Sequence, residues 1–366
     1  MMRPAVHWWI ILGLAGVFIL IPSTGMTAAE RVSVRGVWVH PGHFGTDRGT
    51  ALSKMQNTLD EYQRAGINTL MVLVKSTSGH VYFSSKIGVQ DPAWKWDFFG
   101  TFLEEARKRQ MDVHPWFCVF TEGGLLGPVR EHPEWLITGK KGELFTSVNP
   151  ALPEVRGYEL SLMLELIRLY QVDWVHLDYI RFPCTPSEPC FSYDSRTRAL
   201  FKLQTGQDPL EIVHDNSGNP VWNEWIAWNS DRVTLFLKEL REALKSAGRP
   251  VSVSAAVFPS PDTARVLIGQ DWEAWAKEGL VDMLCPMLYT NNDDLFEKYL
   301  KRALEAAAGR VRLCAGIGIA TSHNKNTAER MARQMAAGRR MRTDGDIFFS
   351  SSSLTGEFLE KLKTLR

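Results

Sequence analysis

Two acidic side chains stand where a hydrolytic reaction would need them. Asp178 ends the apolar run Asp173-Trp174-Val175-His176-Leu177-Asp178-Tyr179-Ile180-Arg181-Phe182-Pro183. Strand residues two apart share a face, so His176 falls beneath Asp178, with Arg181 just beyond. Such surroundings suit a carboxylate that must stay ionised beside a developing positive charge. The structural alternative is an Asp that His176 and Arg181 hold merely to order the loop. Glu122 follows the run Trp116-Phe117-Cys118-Val119-Phe120-Thr121 and precedes Gly123-Gly124. Glycosidic hydrolysis generally uses one protonated and one ionised carboxyl group, about 5 Å apart for retention and about 6.5–9.5 Å for inversion. Asp178 is thus the expected nucleophile, base or electrostatic stabiliser, and Glu122 the expected general acid. A solvated loop residue is the competing reading of Glu122.

Other chemistries lack their residues. His40, His43, His114, His176 and His323 show no paired His-x-His, no Cys-x-x-Cys occurs, and no Gly-x-Ser-x-Gly elbow is present; no metal or cofactor is expected. Lys plus Arg number 42 against 41 Asp plus Glu, a net charge of +1 that gives no electrostatic footprint for nucleic acid. With 13 Trp in the chain, flat rings are available to stack on sugar faces, Trp116 at a strand end foremost. Trp222, Trp225 and Trp228 have helical spacing and predict packing instead.

The elements that must position these groups alternate. Strand-like runs are Val34 to His40, Asn68 to Lys75, Asp112 to Phe120, Asp173 to Ile180, Val251 to Phe258, Asp282 to Tyr289, Val311 to Ile319 and Asp346 to Ser350. Amphipathic helical stretches separate them, ending in turns such as Ala65-Gly66-Ile67-Asn68 and Asp344-Gly345-Asp346. Eight βα units without adjacent hairpins predict an α/β fold, a single (β/α)8 TIM barrel with elaborated loops after strands 3 and 4. Reactive groups in such barrels sit at the C-terminal strand ends. Asp178 and Glu122 meet that rule, whereas Asp112, Asp173, Asp282 and Asp346 begin strands and fall on the opposite face.

Residues 1–29 read as a signal peptide, with Arg3 ahead of the uncharged apolar stretch Trp8 to Ile21 and small residues at Thr27-Ala28-Ala29. Residues 30–366 are then an exported domain, an uncleaved anchor being the minority alternative. The five cysteines are odd in number. Cys184 and Cys190 flank a proline-stiffened loop that an oxidising compartment could staple.

Several segments together resemble the bacterial glycosyl-hydrolase-like family 10. They are Arg35-Gly36-Val37-Trp38-Val39, His114-Pro115-Trp116-Phe117, His132-Pro133-Glu134-Trp135, Val148-Asn149-Pro150, the block His176 to Pro183, and Cys285-Pro286-Met287-Leu288-Tyr289. The resemblance implies a TIM barrel, export, and hydrolysis of a polysaccharide or glycan, including peptidoglycan strands freed of their peptides. It aligns Asp178 with the family's strand-four Asp and places His176, Asn149 and Tyr289 in the cleft. With His40, Trp116 and Arg181, these are the expected substrate contacts. Gln110, Gln171 and Trp174 depart from the family pattern, Gln110 standing where Gly commonly precedes the third strand. A glycan-binding barrel without catalysis and a metal-dependent deacetylase are the competing functions.

Overall fold

The computed structural model describes residues 33–185, 188–213, 218–246 and 248–365. The expected signal peptide lies outside the described residues. Eight strands form the barrel: β1 (Val34–Val39), β2 (Thr69–Lys75), β3 (Asp112–Cys118), β4 (Trp174–Asp178), β5 (Ser252–Val257), β6 (Met283–Pro286), β7 (Arg312–Gly318) and β8 (Gly345–Phe349). Each pairs in parallel with its sequence neighbours, and β1 pairs with both β2 and β8. Pairing at both sides of β1 closes the sheet and leaves it no edge to protect. Helices occupy the connections, among them α1 (Arg48–Arg64), α2 (Phe98–Lys108) and α3 (Pro153–Tyr170).

The strands are buried on both faces, as parallel strands must be when helices cover them. Val37, Leu70, Val72, Phe117, Leu177 and Phe348 point outward into the large core beneath the helices. Trp38, Met71, Leu73, Trp116, Cys118, Met283, Cys285 and Ile347 point inward and fill the barrel. Polar groups also occupy that interior. The Trp38 indole N–H donates to His176 Nε2 at 2.9 Å, and Ser254 Oγ lies 2.9 Å from the Nδ1 atoms of both His176 and His114. Because His176 Nε2 accepts, Nδ1 carries the proton and donates to Ser254, whose own proton can then go to His114. The bulky Trp174 is accommodated by lying flat on His114, with ring centres 4.2 Å apart and planes 8° apart.

Two turn glycines have distinct reasons. Gly66 adopts φ 75° after α1, a left-handed conformation in which a side chain is strained. Gly345 begins β8 rather than ending a turn, and a Cβ there would come within 1.9 Å of the Val34 carbonyl oxygen. The barrel closes at that contact.

The connections after β3 and β4 are long, as expected. One carries the hairpin Leu136–Thr138 and Leu144–Val148, the other the helix Ser195–Thr205. The connection after β2 is elaborated too, with the short strands His80–Val81 and Val89–Gln90 extending the sheet. Cys184 and Cys190 are free thiols. Cys184 pairs with Pro189, and the Cys190 amide bonds to the Pro183 carbonyl. Cys190 therefore stands opposite Pro183, and the two thiols face opposite sides of the ribbon.

Candidate active site

A cavity of about 420 Å³ opens at the C-terminal ends of the strands. Its lining comes from several of them: His40 after β1, Ser76 and Thr77 after β2, Trp116 and Cys118 on β3, Asp178, Tyr179 and Arg181 from β4, Met287 and Tyr289 after β6, and Phe349 on β8. Inward alternation along β4 runs Trp174, His176, Asp178, so the carboxylate projects from the last rung into the mouth. β4 stops there because Tyr179 turns to φ 49°, where a bulky side chain costs about 1–2 kcal/mol.

That turn serves the carboxylate. Asp178 Oδ1 accepts the Tyr179 amide at 2.7 Å and Arg181 Nη1 at 3.0 Å. Both contacts fall on one oxygen, so among the described residues Oδ2 keeps no protein donor. The Arg181 guanidinium lies 4.1 Å from the Tyr179 ring centre and 5.3 Å from that of Phe258, which fixes its plane.

Aromatic edges and faces ring this charge. His40 meets Trp116 edge to face at 4.9 Å, and Phe349 lies 5.8 Å from His40 and 5.5 Å from Tyr289. The His40 pKa is lowered, burial outweighing the opposing pull of Asp178. Burial and the Asp178 charge push the Tyr289 phenol well above its usual value, so it remains a donor at neutral pH. Burial likewise raises the Cys118 thiol, which removes it as a nucleophile. The buried Trp116 indole N–H has no hydrogen-bond partner. The site thus offers one carboxylate, aromatic surface and hydrogen-bond donors, a combination suited to a sugar ring.

Four of the residues expected from the sequence to form the site converge on this cavity besides Asp178: His40, Trp116, Arg181 and Tyr289. Three expected residues stand elsewhere. Glu122 is fully buried with Oε1 2.8 Å from Lys75 Nζ, in a cluster that includes Glu159 of α3 and therefore lies behind the barrel wall. Asn149 donates from Nδ2 to Asp194 Oδ2 and Thr197 Oγ1 at 2.9 and 2.7 Å, and its Oδ1 accepts the Ala151 amide at 3.0 Å. Its polar atoms are spent tying the loop after β3 to the loop after β4. His176 is sealed one rung below Asp178, with both ring nitrogens bonded inside the barrel.

Ser76, Thr77, Tyr82, Met287 and Phe349 complete the lining without having been read from the sequence. Inward parity on the eighth strand could have indicated Phe349. Nothing local marks Ser76 or Thr77, because only the β2 loop's path brings them to the mouth. Among the described residues no group of three or more His, Cys, Asp or Glu is placed to hold a metal ion, and no helix is long and apolar enough to cross a membrane.

The family model described as Glycosyl hydrolase-like 10 matches residues 33–328. Among curated proteins, the glycosyl hydrolase YngK of Bacillus subtilis is 22% identical over 315 residues, covering 75% of this chain and 58% of that protein. The glycosyl hydrolase DigH of Escherichia coli K12 is 30% identical over 151 residues, 34% of this chain and 33% of that protein. The chain thus spans under two thirds of the length of either. Among solved structures, the PgaB (BpsB) glycoside hydrolase domain from Bordetella bronchiseptica superposes with a TM-score of 0.75 at 13% identity, covering 90% of this chain and 98% of that one. The catalytic domain of a Paenibacillus polymyxa β-amylase gives 0.60 at 11% identity, with 91% and 97% coverage. At such identities the likeness is one of fold.

Proposed function

The chain belongs to the glycosyl hydrolase-like 10 family, and on that premise we propose that it hydrolyses glycosidic bonds of a polysaccharide or glycan in the cavity above Asp178. One observation carries this reading: an inward carboxylate at the C-terminal mouth, paired with Arg181 and ringed by His40, Trp116, Tyr289 and Phe349. Hydrolysis passes through an oxocarbenium-like state, whose positive charge a fixed carboxylate stabilises or captures. Arg181 and the Tyr179 amide hold Oδ1 and leave Oδ2 toward the sugar. Trp116 and Tyr289 supply donors to hydroxyl groups, and the aromatic rings supply faces for stacking.

The family resemblance supports an exported enzyme and makes peptide-free peptidoglycan strands the first substrate to try. The test is product release from a panel of glycans, those strands included, by wild type and Asp178→Asn. Loss of turnover in the variant supports the reading, and equal rates remove Asp178 from the chemistry.

A second reading is favoured by the cavity itself, where Asp178 is the single carboxylate among the described lining residues. A barrel that binds glycans without cleaving them needs no second acid. It would show saturable affinity for a glycan and no product from any member of the panel.

A further inference from the structure

Lys75 ends β2 and is fully buried, yet it faces away from the cavity. Strict alternation would point it inward beside Leu73. The register slips between those two residues, so that Leu73 pairs with the inward Trp116 while Lys75 pairs with the outward Phe117. A bulge of this kind re-aims a side chain at a strand end. The ammonium group has three donors and uses them on the Cys118 carbonyl at 3.0 Å, the Val119 carbonyl at 2.8 Å and Glu159 Oε1 at 3.1 Å. Glu122 adds a charge contact at 2.8 Å.

The peptides that Lys75 grips are those that hold the active carboxylate. The Val119 amide donates to the Asp178 carbonyl at 2.8 Å, and the Phe120 amide to the Tyr179 carbonyl at 3.1 Å. We infer that Lys75 is a positioning residue for Asp178, clamping the end of β3 so that β3 in turn fixes the left-handed turn presenting the carboxylate. This rests on the proposed role of Asp178.

The cluster's charges explain why the clamp holds in a dry site. Burial opposes the Lys75 charge, but the carboxylate charge beside it, Glu122 foremost, outweighs burial and keeps the amine protonated. Burial, with the Glu122 charge adding to it, raises the Glu159 pKa well above its usual value despite Lys75, which favours its protonated form. In Glu122→Gln, Glu159 remains 3.1 Å from the ammonium as its acidic partner.

The test compares Glu122→Gln with the double variant Lys75→Met plus Glu122→Gln, which leaves no uncompensated buried charge. Amide exchange and glycan hydrolysis are measured on the full chain. The clamp predicts exchange at Val119 and Phe120 at least tenfold faster in the double variant, with Val253 unchanged. It also predicts a kcat at least tenfold lower with KM within twofold, while Glu122→Gln stays within threefold of wild type in both measurements. Wild-type exchange at Val119 and Phe120 in the double variant overturns the clamp whether or not any substrate is turned over. Loss of activity in Glu122→Gln with normal exchange also overturns it, by making Glu122 a participant in the chemistry. Full activity in Asp178→Asn instead overturns the proposed role of Asp178, and the exchange result then judges the clamp alone.

Discussion

Arg181 reaches back three residues to place Nη1 3.0 Å from Asp178 Oδ1, and the same guanidinium packs against the Tyr179 ring at 4.1 Å. One side chain therefore holds both the carboxylate and the strained residue that presents it. Arg181→Met keeps much of the stacked stem and removes the charge. A hydrogen bond to a charged group contributes about 1.5–3 kcal/mol, so kcat/KM should fall roughly 10- to 100-fold on a cleaved glycan. Steady-state kinetics check this, and an unchanged kcat/KM would show that Asp178 is oriented without Arg181.

Beneath the cavity, His176 should set an acid limit on stability. Burial lowers its pKa to about 3, against about 6.5 for an unfolded histidine. Both states are neutral above pH ~6.5, where the stability is fully present; below that the unfolded chain binds the proton first, and stability falls toward pH 3. Between pH 7 and 4.5 the loss from this group is at most about 3 kcal/mol. His176→Gln should flatten that part of the profile, as read by urea unfolding at the two pH values. Parallel profiles for variant and wild type would refute the assignment.

Asp346 acts in the opposite direction. It is buried on the outer face of β8 beside Gly338, its Oδ1 lacks a partner, and burial raises its pKa to about 7 despite Arg339 and Arg35. The folded state holds this proton more tightly than an unfolded Asp does, so stability is full below pH ~4 and declines as pH rises to 7. Asp346→Asn should be about 1–3 kcal/mol more stable than wild type at pH 8, with the gain nearly gone at pH 4.5. Thermal unfolding at both pH values measures it, and a variant less stable at pH 8 would contradict the argument.

The departures from the family pattern acquire physical meanings in the fold. Gln110 and Gln171 adopt φ 56° and 49°, so both occupy left-handed positions at the ends of helices. At Gln110 the family resemblance implies Gly, and the left-handed backbone is one that Gly adopts without strain. Trp174, the third departure, is absorbed by stacking on His114.

The order of eight βα units, their closure into a barrel and the place of Asp178 at the end of the fourth strand were legible in the sequence. These depend on local periodicity, on turn residues and on strand parity, each of which is written within a few residues. Which other side chains reach the mouth was decided by tertiary structure alone. Glu122 has the sequence position of an active-site acid, but the β2 bulge sends Lys75 behind the wall and Glu122 is drawn there to meet it. Asn149 is held by Asp194 and Thr197, partners 45 and 48 residues away. Past the last rung of a strand the period-two rule no longer governs direction. Side chains there go where buried charge and unmet hydrogen bonds find partners, and those partners lie on other segments of the chain.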